Sequence, residues 1–330
     1  MNYTATGISL KQTGFFSKLV NDYVEQAPAL TPFFEHSPNW KGLQSALQAK
    51  KNAPINREAL VSVLKEQYAR VEPVAAVNEQ IDRLLQPNTF SICTAHQPNI
   101  YTGHLYVIYK ILHAIKLAEA CAAQFPGNHF VPVYYMGSED ADLEELGHIF
   151  LNGEQLVWNT RQTGAVGRMR VDDAAIQMLN RIAGELEVEP FGKELVQLLR
   201  NSYRKGITIQ EASLHLFHSL FGRFGLVVLI ADHASLKTLM KPVFHDELFT
   251  QRASALVGET SKKLEAHYPV QAHPRDINLF YLREGIRERI VQNGNIFEVR
   301  NTTTQFTKET LEQELEQHPE HFSPNVILRG

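Results

Sequence analysis

Apolar residues recur every three or four positions through most of residues 7–87, which is the spacing of amphipathic helices rather than strands. One such series contains Leu19 and Tyr23, and another contains Leu60, Leu64 and Tyr68. Prolines interrupt this region, and a proline usually ends or prevents a helix. We therefore expect several short helices, separated at Pro28, Pro32, Pro38 and Pro54.

From residue 89 onward, short apolar runs alternate with helical stretches. The run SICTA, residues 91–95, predicts a first strand, and the apolar stripe from Leu105 predicts a helix that ends near Ala123. HFVPVYYMG predicts a second strand with Pro132 in an early or edge position, because proline cannot donate to a strand ladder. FGLVVLIA, residues 224–231, predicts a third, buried strand.

Two Asn-Gly pairs, at Asn152-Gly153 and Asn293-Gly294, predict β-hairpins. Strands that alternate with helices predict an α/β fold with a largely parallel sheet, to which the hairpins are insertions or edge additions. We predict four segments: a helical region over 1–88, a first part of the core over 89–150, a connecting insertion over 151–222, and a second part of the core over 223–330 with a hairpin insertion.

Composition narrows the class of protein. The 330 residues are 44% hydrophobic and 21% charged, with a net charge of -4 and no basic patch that would predict nucleic-acid binding. The longest apolar run is far shorter than the roughly 20 residues of a membrane-spanning helix.

The first residues do not resemble a signal peptide, so we expect a cytoplasmic protein. Cys93 and Cys121 are too few for a disulfide framework, and we expect Cys93 to be buried and inert.

Polar residues follow the first strand, at the edge where α/β sheets bind ligands. No glycine-rich phosphate loop is present, but Thr102 could cap the next helix, and Gly103 and His104 could hold an anion at its start. Residues 101–104 partly match the His-x-Gly-His element of nucleotidylyltransferases and class I synthetases, with Tyr101 in place of the first histidine. Alternatively, Thr102 only caps the helix, Gly103 only makes a turn and His104 is solvated.

The second strand leads into the acidic sequence GSEDADLEEL, residues 137–146. Ser138 could cap a helix whose first turn contains acids, which the helix dipole favours. Alternatively, Asp140 or Asp142 faces the crevice and binds a substrate ammonium or hydroxyl group.

Asp232, after the third strand, could bind a sugar or cap the helix that begins near Ser235. Arg275 and Asp276, in PRDINLFYL, could bind a polar substrate or form an ion pair at the start of a strand. His215 and His218 have no third ligand nearby, so we predict histidines at the edge of the core and no metal.

In order along the chain, TAHQPNIYTGHLYVIYKILHAIKLA, VPVYYMGSEDADLEEL, FGLVVLIADHASLKTLMKPVF, PRDINLFYL and FSPNVILR resemble the bacillithiol biosynthesis cysteine-adding enzymes, the BshC family. The resemblance implies a Rossmann-like core with synthetase-like connecting insertions. It also implies a ligase that joins cysteine to glucosaminyl malate, binding of adenine nucleotide (ATP or ADP), and a homodimer formed through a coiled coil.

The resemblance suggests roles for the residues that match it. His96 and Asp140 are the predicted catalytic residues, and Thr102, Gly103 and His104 the predicted nucleotide-binding residues, although family members often have proline in place of His104. The predicted substrate-binding residues are Gln97, Ser138, Glu139, Asp142, Asp232, Arg275 and Asn278.

Family members continue well beyond the segment that matches FSPNVILR, which suggests that this chain is truncated. Two alternatives to a ligase are a binding module that depends on a partner, and a nucleotidylyltransferase that uses residues 101–104.

Overall fold

The computed structural model describes Thr4 and residues 6–328. Two parts of the sequence analysis lie partly outside the described residues: the amino-terminal segment, which was compared with a signal peptide, and the last residue of FSPNVILR. The chain forms two compact units. One contains residues 1–54, 251–276 and 326–330, and the other contains residues 55–250 and 277–325.

Helices and strands alternate along much of the chain. The helices are α1 (Leu10–Thr13), α2 (Lys18–Val24), α3 (Trp40–Lys51), α4 (Arg57–Tyr68), α5 (Ala75–Arg83), α6 (Tyr106–Gln124), α7 (Leu143–Leu146), α8 (Asp173–Leu186), α9 (Gly192–Ser202), α10 (Ile209–Phe221), α11 (Ala234–Leu239), α12 (Lys241–Phe249), α13 (Arg252–Glu265) and α14 (Lys308–Gln317). The strands are β1 (Thr89–His96), β2 (His129–Met136), β3 (His148–Leu151), β4 (Glu154–Val157), β5 (Val227–Ile230), β6 (Leu279–Arg283), β7 (Ile286–Asn293), β8 (Ile296–Val299), β9 (Gln305–Phe306) and β10 (Phe322–Pro324).

The smaller unit is helical in its described residues, with α1, α2, α3 and α13. Asn39 starts α3 by accepting a hydrogen bond from the Gly42 amide at 2.9 Å. Tyr268 donates to Asp22 at 2.8 Å, which connects the segment after α13 to α2. Helices interrupted by prolines are confirmed for residues 7–87, because Pro28 and Pro32 lie in a 3-10 turn between α2 and α3.

The larger unit contains a parallel sheet with the strand order β1-β2-β5. Residues Tyr134 and Met136 of β2 face a core that includes Ile111 of α6 and Phe217 of α10. Neighbouring β2 residues face the other way, where Val133 packs in a core with α4 and α5. Helices therefore cover both faces of the sheet, and the predicted α/β class is confirmed.

Antiparallel strands are more numerous than expected. Strands β6 to β10 form a five-stranded sheet in the order β10-β6-β7-β8-β9, and β3 and β4 form a separate hairpin. Asn152 and Gly153 make the β3–β4 turn with φ values of 49° and 83°, as their sequence predicts. In the second predicted hairpin Asn293 pairs with Ile296, so the turn lies one residue later than its Asn-Gly pair suggests.

Two expectations about individual strand residues are wrong. Pro132 is in the middle of β2, the central strand, but β5 pairs with β2 only from Val133 onward. Pro132 therefore has a neighbouring strand on one side only, which makes a missing amide tolerable. Cys93 is exposed rather than buried, because alternate residues of β1 face solvent.

The four predicted segments stay a prediction, although residues 55–88 cluster with the larger unit. No helix within the described part of the chain has the length and apolar character needed to cross a bilayer.

Candidate active site

The three parallel strands end at one edge of the sheet, and the loops after them contain most of the predicted site residues. His96 ends β1, Met136 ends β2 and Ile230 ends β5. The Gly137 amide donates to the His96 carbonyl at 2.8 Å, so the loops after β1 and β2 start in direct contact. Ligands of open α/β sheets bind at this edge, because loops diverge there and leave a crevice.

The loop between β1 and α6 has an unusual backbone. Tyr101, Thr102 and Gly103 have φ values of 52°, 76° and 58°. A β-branched residue such as Thr102 rarely adopts positive φ, so the surrounding structure must hold this conformation. A side chain at Gly103 would lie 2.3 Å from the Asn99 Cβ atom, so only glycine fits there.

The predicted role of Thr102 as a helix cap is wrong. Helix α6 begins at Tyr106, and its N-cap residue, Leu105, has no side-chain hydrogen bond. The positive-φ turn makes α6 begin later than predicted, and the amides of His104 and Leu105 have no acceptor among the described residues. These free amides lie next to the end of β1.

Tyr101 belongs to the hydrophobic core. It is 5% exposed, its hydroxyl donates to the Ala175 carbonyl at 2.5 Å, and its amide donates to the Tyr203 hydroxyl at 3.0 Å. The position that corresponds to the first histidine of a His-x-Gly-His element therefore anchors the loop and does not bind a phosphate. This placement removes the support for a nucleotidylyltransferase.

His96 is part of a hydrogen-bonded chain. Its Nδ1 lies 3.1 Å from the Gln97 carbonyl and its Nε2 lies 2.7 Å from the Tyr106 hydroxyl. A carbonyl can only accept, so Nδ1 has the proton and Nε2 accepts from Tyr106. Burial lowers the pKa of His96, which favours this neutral form. His104 is partly buried and stacks on Tyr106, with ring centroids 5.6 Å apart.

The acidic loop after β2 is held by its own side chains. Asp140 Oδ2 accepts from Gln97 Nε2 at 3.2 Å, and Asp140 Oδ1 accepts from the Asp142 amide at 3.3 Å. Asp142, and not Ser138, caps the short helix α7. Ser138 is 1% exposed, and its hydroxyl has no hydrogen-bond partner among the described residues. The loop thus brings Asp140 next to Gln97, as expected for residues at adjacent strand ends.

A buried ionic cluster lies beside this loop. Arg168 donates to both carboxylate oxygens of Asp232, at 2.6 and 2.7 Å. Lys237 lies 2.9 Å from Asp232, and it also contacts Glu139. The Lys237, Glu139 and Asp232 side chains are 4%, 6% and 2% exposed. Two acids and two bases neutralise each other here, as burial of charges requires.

Asp232 remains a carboxylate in this cluster. Its burial would raise its pKa, but the hydrogen bond from Arg168 and the charge of Lys237 have the larger combined effect, and the pKa is lowered. Asp232 does not cap α11, because His233 does so by accepting from the Ser235 amide. Neither hypothesis for Asp232 included its pairing with Arg168.

Arg168 is placed by a 3-10 turn, Val166–Arg168, that contacts the acidic loop through its backbone. The Val166 amide donates to the Asp140 carbonyl at 2.7 Å, and the Gly167 amide donates to the Ser138 carbonyl at 2.9 Å. The connecting insertion thus places the Arg168 guanidinium group beside Asp232, at the strand ends.

Other predicted residues lie elsewhere. Asn278 donates to Glu247 through its backbone at 2.6 Å and through its side chain at 2.8 Å, and it is 1% exposed. Arg275 belongs to the smaller unit. His218 is buried, and its Nε2 lies 2.7 Å from the Glu72 carbonyl oxygen, which supports the prediction of a core residue. His215, on the same helix, is partly buried.

Arg168, Lys237 and Tyr106 were not predicted as site residues from the sequence. Each is an ordinary residue in a helical or turn segment, and only Lys237 had a local signal, as a base on the helix directly after Asp232. Arg168 is 64 positions away from Asp232 and had no such signal.

Comparisons with known proteins identify the family. The chain matches the family described as "Bacillithiol biosynthesis BshC, N-terminal Rossmann-like domain" over residues 2–330. It is 38% identical over 328 residues to a Cytophaga hutchinsonii protein named "Putative cysteine ligase BshC", an alignment that covers 99% of this chain and 61% of that protein. Proteins of the same name from Flavobacterium johnsoniae and Christiangramia forsetii are 38% and 34% identical over 324 and 329 residues, each with 98% of this chain and 61% of the relative covered.

This chain therefore spans about three fifths of the length of those relatives. The matched residues include all three strand ends and the turn that holds Arg168. The chain belongs to the BshC family, and it corresponds to the family's N-terminal Rossmann-like domain.

Proposed function

We propose that this chain supplies the substrate-binding edge of a ligase that joins the carboxyl group of cysteine to the amine of glucosaminyl malate, with ATP or ADP bound at the same edge. The observation that carries this proposal is the meeting of two loops that resemble the family's motifs, through the 3.2 Å hydrogen bond from Gln97 to Asp140. Amide formation needs the amine in contact with an activated carboxyl group, whose oxygen would leave with a phosphoryl or adenylyl group taken from ATP. Loops from adjacent strand ends can provide that arrangement.

The loop over 102–105 supports nucleotide binding. The amides of His104 and Leu105 are free to donate, and they lie at the start of α6, where the helix dipole favours a negative charge. Gly103 lets the backbone come close to a ligand. We assign the phosphates of the nucleotide to these amides, and we assign no phosphate contact to Tyr101.

His96 supports proton transfer. The amine of glucosaminyl malate must lose a proton when it forms the amide bond, and a neutral imidazole can accept one. Because His96 Nε2 is bound to the Tyr106 hydroxyl, we propose that the proton reaches His96 through Tyr106. Asp140, fixed by Gln97, would bind the ammonium group of cysteine.

Arg168 supports stabilisation of negative charge. Its Nε and Nη2 bind Asp232, whereas Nη1 donates no hydrogen bond to any described residue, and the side chain is 32% exposed. A guanidinium held in place by one carboxylate can donate to a developing oxyanion or to a phosphate. In this proposal Glu139, Asp232 and Lys237 position Arg168 and do not bind substrate themselves.

The homodimer, the coiled coil and the cytoplasmic location belong to the proposal for the longer proteins of the family.

Calorimetric titrations of this chain with ATP, cysteine and glucosaminyl malate, followed by an assay for a new thiol product, test the proposal. We expect Asp140→Asn to weaken cysteine binding by about tenfold or more, since a charged hydrogen bond is worth roughly 1.5–3 kcal/mol. Asp173→Asn is the matched control, because Asp173 is an exposed acid paired with Lys205. Failure of all three compounds to bind would reject the proposal, whereas binding without product would favour a partner-dependent binding module.

A further inference from the structure

Two histidines and a glutamate form a cluster at the end of α14. His318 follows α14, and Glu320 and His321 lie in the 3-10 turn Pro319–His321. One nitrogen or oxygen of each of these three side chains lies within 4.8 Å of the others. The turn fixes their spacing, because the His321 amide donates to the His318 carbonyl at 3.0 Å.

The distances fit a small divalent cation. His318 Nδ1 is 3.1 Å and His321 Nε2 is 3.9 Å from Glu320 Oε1. Ligands that lie about 2.0–2.1 Å from a tetrahedral zinc ion are roughly 3.3 Å from one another, so small side-chain rotations would suffice. The two histidine rings are stacked with centroids 4.9 Å apart, which already places them on the same side of the turn.

His321 is also oriented as metal-binding histidines usually are. Its Nδ1 lies 2.7 Å from Glu314 Oε1, and the same oxygen accepts from the Tyr281 hydroxyl at 2.6 Å. The carboxylate therefore holds the proton of His321 on Nδ1 and leaves the Nε2 lone pair free. Glu314 belongs to α14 and Tyr281 to β6, so the orientation of His321 does not depend on the other two side chains that would bind the ion.

We propose that His318 Nδ1, Glu320 Oε1 and His321 Nε2 bind one divalent transition-metal ion of the zinc class, with Glu314 and Tyr281 as supporting partners. Two imidazoles and one carboxylate favour zinc, cobalt or nickel over magnesium or calcium, which prefer oxygen ligands alone. The side chains of His318, Glu320 and His321 are 47%, 34% and 18% exposed, so water can reach the fourth position. Metal binding through Nδ1 requires the neutral tautomer of His318 that has its proton on Nε2.

The site would also be connected to the strand ends. The Glu320 carbonyl accepts from Lys237 Nζ at 3.2 Å, and Lys237 belongs to the buried ionic cluster. A metal ion on the Glu320 side chain would therefore rigidify a turn that holds Lys237.

Metal titration of the chelator-treated chain tests the proposal, with zinc competing against an indicator dye and cobalt(II) monitored by its visible spectrum. We expect one tight zinc equivalent and the intense absorption of four-coordinate cobalt. The double variant His318→Gln, His321→Gln should lose this equivalent. Glu314→Gln should weaken binding about 10- to 100-fold, as expected for a supporting partner.

His245→Gln is the matched control, because His245 is an exposed histidine 3.8 Å from Glu312 and outside the cluster. It should bind zinc as the unmodified chain does. Circular dichroism without metal should show that every variant is folded. The single variant His318→Gln is a further check, because an exposed side chain contributes little to folding. Binding that survives the double variant, or an equal loss in His245→Gln, would overturn the proposal.

Discussion

Tyr101 shows that one buried residue can give a sequence motif a structural role instead of a ligand-binding one. Its sequence neighbours suggest a phosphate-binding element, yet its hydroxyl and amide are both bonded to core residues. Burial raises the pKa of Tyr101 well above its ordinary value, so the hydroxyl stays a donor. The side chain therefore stabilises the positive-φ turn instead of contacting a ligand.

Lys237 provides the strongest test at this scale. Lys237→Met removes the charge that compensates Glu139 and Asp232, and loss of one partner of a buried ion pair costs about 3–5 kcal/mol. We expect the free energy of unfolding, measured with urea at pH 7, to fall by that amount. Lys65→Met is the matched control: Lys65 and Asp82 are mostly exposed, so the loss should be about 0–1 kcal/mol. Equal losses in the two variants would contradict the buried cluster.

At the scale of elements, the turn over 166–168 and the loop over 138–140 act together. The two backbone bonds between them require a close approach at Gly167, where a Cβ atom would lie 2.4 Å from the Ser138 carbonyl oxygen. Neither segment predicts the other from sequence, because their contact depends on how the connecting insertion folds back.

Gly167→Ala should therefore separate the turn from the acidic loop. Steric insertion into a packed site typically costs about 1–3 kcal/mol, and we expect a loss of this size in thermal or urea unfolding. Gly184→Ala is the control, because nothing lies within 4 Å of a Cβ atom at that position in α8. It should stabilise the protein by up to about 1 kcal/mol through helix propensity. A neutral Gly167→Ala would argue against the close approach.

The hairpins show what local chemistry can and cannot specify. Asn152-Gly153 forms the predicted turn because both residues tolerate positive φ. Asn293-Gly294 is shifted by one position, with Gly294 and Asn295 between the paired residues Asn293 and Ile296. Pairing of β7 with β6 as well as β8 constrains the register there, so the tertiary context decides the turn.

At the scale of the whole molecule, the ionic cluster joins β2, β5, α11 and the connecting insertion, so its titration should affect global stability. The folded-state pKa of Asp232 lies below the ordinary value of 3.8. The stabilisation by this carboxylate is therefore complete above about pH 3.8 and is lost as the pH falls through the lowered pKa.

We expect Asp232→Asn to reduce the free energy of unfolding by about 3–5 kcal/mol at pH 7, with the difference from the unmodified chain shrinking only below about pH 3.8. Urea unfolding between pH 7 and pH 3 measures this profile. Asp173→Asn should change stability little at any pH, because Asp173 and Lys205 are exposed. A difference that already shrinks near neutral pH would contradict the lowered pKa.

From the amino-acid sequence alone, the three parallel strands and the polar loops at their ends could be predicted, because these depend on local periodicity and turn chemistry. His96, Gln97 and Asp140 could be placed at one edge on that basis, and the structure joins Gln97 to Asp140. Tertiary structure alone decided that Arg168 and Lys237 neutralise Asp232 and Glu139. Residues far apart in the chain meet only after the sheet and the insertion are packed, and the burial that makes their pairing necessary does not exist before that step.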